Sequence, residues 1–202
     1  MDCMKQEKKK EEQLEQAYQL TINARNFHYD NFCKWMTFYY VAVGAIFVGF
    51  YTKTDATNTY GGLLAFLGFA TSVFWHLSCK GYYFWIKNWI KLITRYEQNI
   101  KKNRRVYTVF SQSVKETQNQ LFNPIESANI STSKITLAFS FLVSTVWCFL
   151  LLSKIEEKYA IRISDCLMLY KVMSALALTY LSTIIIGKWF SSNIDNHTPV
   201  KP

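Results

Sequence analysis

The sequence predicts an all-α membrane protein: two transmembrane hairpins, four transmembrane helices in all, carried on long cytoplasmic helical extensions. Three observations predict it. Half of the 202 residues are hydrophobic, and they gather in four runs, 35–52, 60–77, 135–152 and 167–187. Each run approaches the roughly 20 residues that cross about 30 Å of hydrocarbon. Lysines and arginines are concentrated between the second and third runs, in KGYYFWIKNWIKLITRYEQNIKKNRR (80–105), and the positive-inside rule holds such a segment in the cytoplasm. Each pair of runs then enters and leaves on the same side, so both chain ends are expected in the cytoplasm of a multi-pass inner-membrane protein.

The chain divides into five stretches. Residues 1–34 contain no Gly or Pro and are rich in Glu, Gln, Lys and Ala, which favours one continuous helix. Leu14, Tyr18, Ile22, Tyr29 and Phe32 fall along one side of it, so it is amphipathic and needs a helical partner. Residues 35–79 form the first hairpin. Trp35, Tyr39, Tyr40 and Tyr51 mark its membrane boundaries, and Ala45 and Gly49 are expected to meet Gly61 and Ala65 at a close seam.

Residues 80–134 form a basic helical segment. The second membrane helix is expected to run into it without a stop, with Lys87, Lys91 and Arg95 on one side at i, i+4 spacing, followed by Lys101, Lys102, Arg104 and Arg105. These seven side chains suit a partner protein or anionic lipid headgroups. Trp75, Trp85 and Trp89 are expected at the inner membrane boundary. Residues 127–133 are polar and can cap the next helix.

Residues 135–188 form the second hairpin. Thr136, Ser140, Ser144 and Cys148 recur every four residues as a small, weakly polar stripe, with Ser174 adding a hydroxyl on the fourth membrane helix. Such a stripe either packs against a neighbouring helix or lines a pore. Lys171 stands about one turn from the outer end and can snorkel to the headgroups. Residues 189–202 read as a disordered tail.

The net charge of +9 could suit nucleic acid, but in a membrane chain topology and lipid headgroups account for it, so direct nucleic-acid binding is not expected. Five cysteines lack paired spacing, and no cleavable signal is visible, so the first membrane helix is expected to act as its own signal. No phosphate loop, nucleophile elbow or zinc-protease motif is present, and no cofactor is expected. Arg25, His28, Asp30 and His76 form a candidate cluster at the cytoplasmic mouth of the first hairpin. With Cys33 and Cys79 the two histidines are zinc-ligand types, but their spacings do not match the usual pairs, so no metal is expected. Arg25 and His28 stand too close for the arginine–histidine pair of helical ribonucleases. The expectation is a protein that is not an enzyme.

A polar helix leading through ARNFHYDNFCKW into an aromatic, glycine-containing hairpin, then a basic segment and a second hairpin, resembles the small membrane effectors of bacterial antiphage systems. It is most similar to the four-helix membrane accessories encoded beside type VI-B CRISPR ribonucleases. The resemblance implies a homo-oligomer in the lipid bilayer, a pore or membrane-perturbing activity in antiviral defence, and a cytoplasmic partner of the RNA-guided ribonuclease kind. The competing reading is a non-conducting scaffold that recruits a partner through the basic segment.

Overall fold

The computed structural model describes residues 2–52, 58–100, 131–159 and 168–191, and every element among them is a helix. These are α1 (Asp2–Thr52), α2 (Asn58–Asn99), α3 (Thr132–Tyr159) and α4 (Met168–Trp189). All four are long and apolar enough to cross a membrane. The 51 residues of α1 run without interruption because no Gly or Pro occurs before Gly44. Helix α2 passes through Gly81 unbroken, as the sequence leads one to expect. Ser131 caps α3: its hydroxyl accepts the Lys134 N–H at 3.4 Å, and its carbonyl accepts the N–H groups of Lys134 and Ile135 at 3.0 and 3.1 Å.

The chain forms two compact units, one of Met1–Thr37 with Lys80–Ile135 and one of Phe38–Cys79 with Thr136–Pro202. In the first, α1 and α2 pack antiparallel, since Tyr18 meets Glu97 while His28, further along α1, meets Tyr82, earlier on α2. Tyr18, Ile93 and Ile100 form its core, and Leu14, Ile22 and Tyr96 close around them. Leu14, Tyr18 and Ile22 thus realise the i, i+4 stripe read from the sequence, whereas Tyr29 is exposed.

In the second unit α2 and α3 run antiparallel in close register. Gly68 lies against Trp147 and Trp75 against Phe139, with His76 bonded to Ser140. Phe50 of α1, Ala65 of α2 and Trp147 of α3 form the core, with Val43, Ile46, Leu64 and Leu150 around them. Apolar burial gains little free energy where the alternative is lipid, so contact quality holds this unit together. The indole of Trp147 is 1% exposed, with the Phe50 and Phe47 rings edge-on to it at 5.8 and 6.1 Å.

Two expectations are corrected here. Of the small residues read as the hairpin seam, Ala65 is buried but Ala45 is exposed, and a side chain at Gly49 would meet nothing within 4 Å. The close approach occurs instead at Gly68, whose missing side chain admits the Trp147 ring. Trp75, expected at the inner membrane boundary, is 1% exposed and packed by Tyr39, Tyr40 and Phe139. Lys171 does not rely on snorkelling. Its ammonium pairs with Glu156, lies 3.5 Å from the Ser153 hydroxyl and sits over the Phe149 ring.

Candidate functional site

The two units carry separate polar clusters. In the first unit, the ARNFHYDNFCKW stretch brings His28 and Phe32 onto one side of α1, four residues apart. Both stack on Tyr82 of α2, with ring centres 5.3 Å away for His28 and 3.6 Å for Phe32. Burial pushes Tyr82 up to about 12, the nearby Tyr29 and Cys33 push the same way, and Arg25 opposes them. Burial also holds His28 below the usual histidine range, and its Nε2 makes no hydrogen bond. Burial thus favours the neutral imidazole where His28 stacks on Tyr82. Asp30 is exposed on the same helix.

Further along, the Tyr18 hydroxyl donates to the Glu97 carboxylate at 2.9 Å, and Glu97 is fully buried. Burial, followed by the bond to Glu97, pushes Tyr18 up to about 12. The phenol thus stays protonated and remains a donor. Burying a carboxylate costs several kcal/mol unless it is hydrogen-bonded, so this contact fixes which faces of α1 and α2 meet.

Beyond that core, α2 presents Lys87, Lys91 and Arg95 on its exposed side. Lys87 lies 4.2 Å above the Tyr83 ring. Lys101, Lys102, Arg104 and Arg105 lie outside the described residues.

In the second unit, Ser140, Ser144 and Cys148 are buried, with Thr136 at the edge of that stripe. Ser144 donates to the Ser140 carbonyl at 2.8 Å and Ser140 to the Leu137 carbonyl at 2.9 Å. Hydroxyls satisfied by their own helix can lie in a membrane interior without water. His76 Nδ1 lies 3.1 Å from the Ser140 hydroxyl and 3.2 Å from the Leu137 carbonyl; the carbonyl can only accept, so that contact forms in the tautomer with the proton on Nδ1. His76, grouped in the sequence with Arg25, His28 and Asp30, is thus taken up by α3.

On α4, Thr183 bonds the Tyr180 carbonyl at 2.8 Å, Thr179 is fully buried with no hydrogen bond, and Ser174 is half-buried. The i, i+4 spacing singled out the α3 stripe. It could not reveal Glu97 or Gly68, whose roles depend on partners far away in the chain. Among the described residues no group of three or more His, Cys, Asp or Glu side chains is placed to hold a metal ion.

No curated protein and no solved structure gives a match to the chain. A family model described as the octameric membrane protein family (8xMP) matches residues 15–155. That span runs from the first turns of the amphipathic stripe to the end of α3, well over half of the 202 residues. With four helices long enough to cross a bilayer, this is a multi-pass, homo-oligomeric membrane protein that belongs to the octameric membrane protein family (8xMP).

Proposed function

We propose that this protein is an inner-membrane effector of antiviral defence: a ring of copies that perturbs or permeabilises the membrane when a partner engages its cytoplasmic helices. Both termini and the basic segment face the cytoplasm, by the positive-inside rule. The observation that carries the reading is the continuity of α1 and α2, which pass from the charged unit into the apolar unit without a break. A ligand that binds one state of the charged unit better than the other shifts the population of the whole assembly. The exposed row of Lys87, Lys91 and Arg95 supplies a contact for an anionic partner surface, such as an RNA-guided ribonuclease, and the chain itself performs no catalysis.

The test is a phage challenge of cells carrying the protein and its neighbouring defence genes, followed with a potential-sensitive dye and a membrane-impermeant DNA stain. Loss of potential or dye entry in wild-type cells supports the proposal. Protection from phage with full potential and dye exclusion sinks it.

One observation favours a second reading, the non-conducting scaffold. From Ser140 to Cys148 the stripe of α3 is buried inside a single chain. On that reading, charge reversal at Lys87, Lys91 and Arg95 abolishes activity while the membrane potential never changes.

A further inference from the structure

The second unit leaves an apolar groove of about 310 Å³ between α1 and α3. Gly44 and Phe47 of α1 form one wall and Leu142 and Val146 of α3 the other, over a floor that includes Trp75 and Trp147. We propose that this groove is the seat of a neighbouring subunit: a transmembrane helix of a second copy of this chain lies in it.

Three observations support a second copy. The chain forms a homo-oligomer, so each protomer must give up membrane-depth surface to its neighbours. Helix α1 has the most to give: only 6% of its most apolar stretch is buried within the chain, against 39% for α2, 28% for α3 and 17% for α4. The wall is also open where a helix needs it to be, since a side chain at Gly44 would meet nothing within 4 Å, and the adjacent Ala45 is small and exposed. Lipid tails solvate apolar surface as well as a helix does, so association in a bilayer depends on close contact at small residues. The rigid rings of Phe47, Trp75 and Trp147 give the groove a fixed shape, as expected of an interface anchor site.

The experiment places p-benzoylphenylalanine at Val146, on the groove rim, in the full chain expressed in bacterial membranes. Illumination should yield a covalent dimer, and native mass spectrometry should show the unilluminated variant still assembled. Leu142, four residues away on the same rim, serves if the first variant fails to assemble. In parallel, Gly44→Trp fills the groove and should lower the assembly to smaller species, whereas Gly62→Trp, whose site also meets nothing within 4 Å but lies off the groove, should not. An assembled variant that cross-links only to lipid, or a Gly44→Trp chain that keeps the wild-type assembly mass, overturns the proposal.

Discussion

Gly68→Ala separates local helix preference from packing. Alanine is favoured over glycine within a helix by about 1 kcal/mol, so with nothing else in play the change stabilises. At Gly68, however, the new methyl would stand 2.6 Å from Cε2 of Trp147 and closer still to Cδ2 and Cε3. Ordinary contact begins at 3.4 Å, so the ring must recede by more than about 0.8 Å, Cδ2 and Cε3 being nearer than Cε2. The ring is 1% exposed and held edge-on by Phe47 and Phe50, so a shift toward the groove it floors disturbs both contacts. Overpacking of this kind costs about 1–3 kcal/mol, with a rigid indole toward the upper end, which leaves a net loss of about 2 kcal/mol. For a chain of this size that lowers the melting temperature by roughly 4–8 °C. The assay is thermal unfolding of detergent-solubilised protein followed by tryptophan fluorescence. Gly62→Ala is the internal control: its site is open, so it should match wild type or exceed it. Trp147→Leu should lose stability alone yet relieve the Gly68→Ala penalty in the double variant. A Gly68→Ala protein that melts at or above wild type would refute the packing argument.

Lys171→Met and Glu156→Gln should each destabilise by about 1–3 kcal/mol, between a surface pair and a buried one, because both side chains are about one-fifth exposed. Their combination should recover most of the loss, and thermal unfolding of the single and double variants checks it. Tyr18→Phe should cost about 1–3 kcal/mol by depriving the buried Glu97 of a donor, seen as faster hydrogen exchange along residues 14–22. Because the Tyr18 pKa rises on folding, its contribution is intact below about pH 10 and fades as pH climbs through about 12, so alkaline unfolding should be steeper in wild type than in Tyr18→Phe. His76→Leu should cost only about 0.5–1.5 kcal/mol in a melting assay, since Ser140 keeps its bond to the Leu137 carbonyl. A loss above about 3 kcal/mol would mean that His76 does more than supply its contacts to Ser140 and the Leu137 carbonyl.

What the sequence made legible follows from run length and composition. Four apolar stretches of bilayer length became four helices, the Gly- and Pro-free start became a continuous α1, and the serines before α3 supplied its cap. What stayed hidden depends on neighbours. Small-residue spacing is the same whether a face is buried or open, which is why Ala45 and Gly49 looked like a seam while Gly68 carries the close approach. Glu97 reads as one more charge on a polar helix, and its burial appears only with Tyr18, 79 residues away. A lysine near a helix end reads as a snorkelling one until an acidic residue on the preceding helix, here Glu156, is found beside it.

On the proposed effector reading, the distribution of hydroxyls decides what lines a passage between copies. Ser140, Ser144, Thr179 and Thr183 are buried within one protomer, and all but Thr179 have their hydroxyls satisfied by backbone of their own helix, so none is offered to a water-filled path along the surface. The surfaces open to neighbours are different. On α1 between Tyr40 and Tyr51 the exposed residues are Val41, Gly44, Ala45, Phe47 and Val48, and on α4 between Tyr170 and Ile185 they are aliphatic apart from Tyr180. A passage between copies would therefore have apolar walls, and a narrow apolar passage empties of water and blocks ions without a plug. On the effector reading the resting assembly is shut by dewetting, and a modest widening is enough to wet it. Replacing Val48 with Ser should then make cells leaky without any trigger, if α1 faces that passage, while Ser144→Ala, deep inside the protomer, should leave ion flux unchanged.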